Sequence, residues 1–216
     1  MNNKIDWRNH IIELIVVFIG ITLAFMLNNW RENNTNQVLA EKYMTSFRDD
    51  IAYDQTHLDS IISSNEIKLK RVKTFIRSLK NKETSIKDAE EVIGIMAELN
   101  PFIPKVNTYE SIKNSGNLNL ISEFDIRKKL IQYYQSFEEK KLLEQINMQY
   151  LHDYIIPFIH QHVDFLHQKM ISQSILKNHH FSNLVLGYYQ MLIQLIDNYK
   201  GIYQLNKELE LLMEKQ

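Results

Sequence analysis

The sequence predicts an all-α protein, with an N-terminal transmembrane helix followed by an antiparallel bundle of long helices. Three observations carry this. Residues 11–27 read IIELIVVFIGITLAFML, seventeen residues of which fifteen are apolar or glycine. The chain of 216 residues has only 5 glycines and 3 prolines, which disfavours turn-rich β folds and favours helices. Beyond the apolar run, hydrophobic residues recur at spacings of three and four. The organisation expected is a membrane anchor over residues 1–32 and a helical bundle over residues 33–216.

The apolar run covers roughly 25 Å as a helix, at the short end for a hydrocarbon core of about 30 Å. Trp7 and Trp30, the chain's only two tryptophans, bracket it. Tryptophan prefers the headgroup level, so both are expected as interface anchors against a lipid bilayer. A cleaved signal peptide is the rival reading. It lacks a small-x-small cleavage site, because Asn28-Asn29-Trp30-Arg31 follows the run. Lys4, Arg8 and the terminal amine precede the run, whereas Arg31 and Lys42 are the first basic residues after it. The positive-inside rule then places the N-terminus in the cytoplasm and the bulk domain in the periplasm.

Glu13, Val17, Gly20, Ala24 and Asn28 fall on one face of this helix. Gly20 and Ala24 form a small-xxx-small step, which lets a second helix approach closely. Glu13 lies about one turn inside the boundary. It either snorkels to the interface or faces a partner helix or wet cavity. The packing face expected is Glu13, Gly20, Ala24 and Asn28.

After a polar stretch at residues 32–36, either a joint or a continuous turn, an amphipathic helix is expected from Val38 to about Leu79. Ala40, Tyr43, Phe47, Ile51, Leu58, Ile61, Val72 and Ile76 form its apolar stripe, with Asp50, Asp54 and Lys68 on the faces between. Asp54, His57 and Asn65 interrupt the stripe. Lys80 to Thr84 reads as a charged turn. Ser85 with Asp88 three residues on is a capping-box start for a helix ending near Asn100, stopped by Pro101 and Pro104. Phe102 and Ile103 of that loop are expected in the core. Thr108 is read as the cap of a short helix ending before Gly116, with Leu118, Leu120 and Ile121 packing the turn. Ser122 is read as the cap of the next helix, with Asp125 at its third position. That helix carries Ile126, Leu130, Tyr133, Tyr134, Phe137, Leu142, Ile146, Tyr150 and Tyr154. Pro157 is expected to kink or break it, and helix to resume to about Ser172. The last helix is expected from Ser182 to Glu214.

Two stretches together resemble small single-pass membrane proteins of unknown function from Gram-negative bacteria. One is the anchor with Glu13, Gly20, Ile21, Asn29, Trp30 and Glu32. The other is TYESIKNSGNLNLI, with Tyr109, Glu110, Ile112, Lys113, Ser115, Gly116 and Asn117, followed by Tyr133 and Tyr134. The resemblance implies an anchor plus helical domain in a bacterial inner membrane. It brings no activity with it.

Charge and motifs narrow the function classes. Net charge is −1, with no basic stripe, so no nucleic-acid partner is expected. There are no cysteines, no P-loop and no dinucleotide fingerprint, and neither enzyme activity nor a cofactor is expected. His152, His160, His162 and His167 gather around Pro157 beside Asp153 and Asp164. They lack HExxH spacing, and His160 and His162 fall on different helix faces, so a metal site is not expected. The turn Ser115-Gly116-Asn117 reads as a helix stop, or with Tyr109 and Lys113 as the wall of a ligand or partner groove. The function expected is a membrane-anchored scaffold that self-associates or pairs with a membrane protein through its anchor. The alternatives are a ligand-sensing bundle, with a polar pocket near Tyr109 and Gly116, and a subunit of a conducting assembly, with Glu13 in a ring.

Overall fold

The computed structural model describes residues 7–167 and 169–215. Lys4 and the terminal amine, used above to orient the anchor, lie outside them. The fold is all-α, and its dominant element is helix α1, Trp7–Asn81, 75 residues in one piece. At 1.5 Å per residue this is a rod of about 112 Å. The polar stretch 32–36 is therefore a continuous helical turn and not a joint. No glycine or proline occurs between Gly20 and Asn81, so nothing in the sequence interrupts the hydrogen-bond ladder. Thr22 and Thr35 donate their hydroxyls to the carbonyls of Phe18 and Arg31, four residues back, and so stay compatible with helix.

Helix α1 stops without a glycine. Lys82 takes the left-handed conformation at φ 60°. The Glu83 N–H bonds the Ser78 carbonyl at 3.0 Å and the Lys82 N–H bonds the Leu79 carbonyl at 3.2 Å. This is the Schellman pattern. Helix α2, Ile86–Ala97, then opens on the expected capping box, with Ser85 and Asp88 each bonding the other's backbone N–H. It ends at Ala97, three residues short of the expected Asn100.

The following loop buries Phe102 but leaves Ile103 69% exposed, against expectation. Adjacent residues of an extended segment point to opposite sides, so seating one expels the other. Helix α3, Asn107–Asn114, has Val106 at its cap position with no side-chain bond, so Thr108 is not the cap. Gly116, at φ 72°, turns the chain into a short 3₁₀ segment, Asn117–Leu120. Helix α4, Phe124–Tyr150, likewise starts without a side-chain cap. Ser122 instead donates to the Glu123 carboxylate at 2.7 Å. Leu142 and Ile146, assigned above to the apolar stripe of α4, are exposed, as is Tyr154 beyond its end.

Pro157 does not break the helical path. A π turn, Leu151–Ile155, precedes it, and the Ile156 N–H reaches the Leu151 carbonyl five residues back. Helix α5, Ile156–His162, carries Pro157 in its first turn, where a missing N–H costs little. The helix expected to Ser172 is absent. Val163–Asp164 and Lys169–Met170 (β1 and β2) pair antiparallel in a small hairpin. Asp164 explains the stop, because its carboxylate accepts the N–H groups of Leu166 and His167 and pairs with the His167 ring at 2.7 Å. A 3₁₀ segment, Gln173–Lys177, leads to helix α6, His179–Glu214, capped by Asn178 three residues earlier than expected.

Helix α6 runs antiparallel to both α1 and α4. It pairs Met213 with Arg48 and Lys200 with Glu66 on α1. On α4 its Glu208 meets Lys129, and its Tyr199 meets Glu144. Helix α2 folds back on α1 through Lys68–Glu98 and Arg71–Glu91. Two apolar cores result. The first joins Phe47, Ile51 and Leu58 to Phe102, Tyr133, Ile202 and Leu209. The second, further along the rod, joins Val72 and Phe75 to Val92, Ile155, Phe181 and Val185. The stretch 11–27 belongs to neither. It is long and apolar enough to cross a membrane and has no part buried.

Candidate functional site

The most constrained chemistry lies in the first core, around a carboxylate. The spacing Ile51, Asp54, Leu58 puts Asp54 inside the buried stripe of α1, and Ile202, Asn206, Leu209 does the same for Asn206 on α6. Both are fully buried. Tyr133 of α4 donates its hydroxyl to Asp54 Oδ2 at 2.8 Å. Asn206 Nδ2 donates to the Tyr133 hydroxyl oxygen at 3.1 Å and to the Ile51 carbonyl at 3.0 Å. The Lys105 backbone N–H donates to Asp54 Oδ1 at 2.9 Å. One carboxylate thus ties together three helices and a loop.

The same loop is gripped twice more. Lys140 Nζ, buried on α4, donates to the Phe102 carbonyl at 2.6 Å and pairs with Glu144 at 3.1 Å. The Phe102 N–H donates to the Tyr199 hydroxyl oxygen at 3.3 Å, and that hydroxyl donates to Glu144 at 2.7 Å. A buried lysine tolerates such a site only because carbonyl and carboxylate satisfy it. Phe102 is therefore held by ring packing and by both of its backbone groups.

Burial pushes the Asp54 carboxyl up to about 6, against the two hydrogen bonds that favour its ionised form. Nearby Asp50 adds to the rise. Burial, with Asp54 beside it, raises the Tyr133 hydroxyl well beyond its ordinary range, and burial with Asp50 raises Tyr134. Among the described residues, Asp50 Oδ2, Tyr134 Oη and Asn206 Oδ1 are buried without a hydrogen-bond partner. The cluster can store a proton and lock a loop.

The turn around Gly116 is held by local contacts, with nothing within 4 Å of where a Gly116 Cβ would be. Tyr109 stacks on Tyr134, ring centroids 4.1 Å apart and 8° from parallel. Lys113 Nζ lies 5.8 Å from the centre of the Tyr109 ring and 3.8 Å from the Glu110 carboxylate. Ser115 donates to the Ile112 carbonyl at 3.1 Å, as a helix stop does. Ser115, Ser111 and Asn117 hold the Tyr43 hydroxyl below its usual range, so this turn seats α1. The structure gathers Tyr109, Lys113, Ser115, Gly116 and Asn117 at the end of α3 and the turn that follows it.

Glu13, Gly20, Ala24 and Asn28 all lie exposed on α1, and nothing stands within 4 Å of where a Gly20 Cβ would be. Trp7 and Trp30 are exposed at either end of the apolar stretch. The histidines do not converge. His152 pairs with Asp153 and His167 with Asp164, while His160 packs on Phe165 and His162 on Phe158. Among the described residues no three His, Asp or Glu side chains share a point.

Residues 13–191 match DUF6090, a family of unknown function. The chain belongs to that family. The match spans most of the apolar stretch together with Asp54, Tyr133 and Lys140, and ends before Tyr199 and Asn206. No curated protein and no solved structure matches it.

Sequence reading missed Asp54, Lys68, Lys140, Tyr199 and Asn206 as a set. Spacing puts Asp54 and Lys68 on the faces between the apolar positions, with Asp54 also interrupting the stripe, and the structure buries both. The signal was present: a polar residue at core spacing within an apolar stripe has to find partners.

Proposed function

We propose that this DUF6090 protein is a single-pass, membrane-anchored scaffold that self-associates, or pairs with a membrane protein, through its anchor helix. Residues 11–27 span the inner membrane with Trp7 and Trp30 at its two surfaces. The N-terminus is cytoplasmic and the bundle periplasmic. The role is non-enzymatic, exerted by presenting the bundle at a fixed distance from the bilayer. One observation carries this reading: the apolar stretch is wholly exposed on a helix that runs unbroken into the bundle. Apolar surface on that scale needs lipid or another helix to cover it. The Gly20–Ala24 step offers the close approach that helix pairing in lipid uses.

The test is the detergent-corrected mass of the purified protein by light scattering. An oligomer is expected for the wild type, with Gly20→Ile reducing it toward monomer. An oligomer that Gly20→Ile leaves unchanged sinks the anchor-driven association.

A further inference from the structure

We infer that the seam between the two cores is a binding site for a small, neutral, mainly apolar molecule carrying one carbonyl or hydroxyl group. A cavity of about 50 Å³ lies there, walled by α1, the end of α2, the α4–π turn junction and α6. Asn65 of α1 lines it, is only 4% exposed, and its Nδ2 has no hydrogen-bond partner among the described residues. A buried amide left unpaired carries an uncompensated desolvation cost, so an occupant that satisfies it is favoured.

The other walls define the class of occupant. Glu98, the one charged side chain lining the cavity, is already paired with Lys68 at 2.8 Å. No ion is therefore called for. The Tyr188 hydroxyl donates to the Ile95 carbonyl at 3.2 Å. Met96, Leu151, Ile155 and Met191 supply apolar surface. Leu151 and Ile155 are the first and last residues of the π turn, which aims both at the seam. Such turns recur at functional sites. On this measure one water needs about 10–15 Å³, so the cavity has room for more than a single water. The unbranched methionines can re-pack to admit a slightly larger molecule. This site lies away from the Tyr109–Gly116 turn and does not depend on how the anchor associates.

Met96 and Met191 are two of the chain's 8 methionines, so methyl-labelled methionine reports on the cavity directly. The full chain in detergent is titrated with 2-butanone, 2-butanol and, as a charged control, butyrate. Saturable shifts at Met96 and Met191 are expected with the first two probes and not with butyrate. Asn65→Leu should weaken both by about tenfold or more, the loss of one useful hydrogen bond. Unshifted Met44 and Met213 resonances certify that the variant is folded. Ile155→Phe, which fills the cavity from the π turn, should abolish saturation while leaving Asn65 in place. Shifts that never saturate, or that move all methionines alike, mean partition into detergent and overturn the site. So does saturation untouched by both variants, or a cavity that accepts water only.

Discussion

Asp54 is the residue whose chemistry is most exposed to pH. Its carboxyl is raised from 3.8 to about 6 in the folded protein, so the folded state binds this proton more tightly than the unfolded chain does. The associated stability is present in full below about pH 4. It is lost as pH rises through about 6. Asp54→Asn keeps an oxygen for the Lys105 N–H and removes the buried charge. It also leaves the Tyr133 hydroxyl without its second acceptor oxygen, so the expected signature is in the pH dependence: the variant's stability should be flatter than wild type's between pH 4 and 6. Parallel thermal unfolding across pH 4–8 checks this, and identical slopes for the two proteins would refute it. At this scale the sequence was half legible. The aromatic core residues Phe47, Tyr133, Tyr134 and Phe137 followed from spacing alone, and all four are buried. The partners of Asp54 did not follow, because the Lys105 N–H and the Tyr133 hydroxyl meet it from two distant segments, with Asn206 reaching only Tyr133, and spacing within one helix carries no such information.

Elements were legible where a local bond defines them and illegible where tertiary contacts compete. Ser85 and Asp88 specify their own capping box, so that helix start was readable. Ser122 had the same credentials and was not used, because its hydroxyl engaged the adjacent Glu123 carboxylate. Residues 163–172 have helical spacing, yet the Asp164 carboxylate and the docking of the Met170 N–H on Glu90 at 2.9 Å favour a hairpin. The end of α1 offers a quantitative test. Lys82 holds a left-handed conformation that costs a residue with a Cβ roughly 1 kcal/mol. Lys82→Gly should therefore stabilise the bundle by about 0.5–1 kcal/mol, read as a shift in the denaturant midpoint at constant slope. A lower midpoint would mean that the lysine side chain, and not the backbone turn, holds this corner.

The whole molecule is organised by the continuity of α1. The polar stretch 32–36 allows either a joint or a continuous turn by sequence, and the structure takes the turn, with no glycine or proline from residue 21 to 81 to interrupt it. A rod fixes rotation as well as distance. Each residue turns the helix by about 100°, so the anchor face bearing Gly20 and Ala24 has one set azimuth relative to the bundle. If anchors pair in the membrane, the bundles must then face each other in one orientation. Insertion of a single alanine after Asn34, in the exposed stretch between anchor and core, rotates one against the other by about 100° without touching either core. Insertion of seven residues of good helix formers returns the face to within about 20°, though about 10 Å further out. The chain has no cysteine, so Ser60→Cys gives one exposed spin-labelling position on α1. The label–label distance between copies is expected to change with one inserted residue and to return near its original value with seven, while the oligomer mass stays constant throughout. A distance indifferent to both insertions would mean that the stretch after Trp30 behaves as a swivel, and that association in the membrane does not orient the bundle.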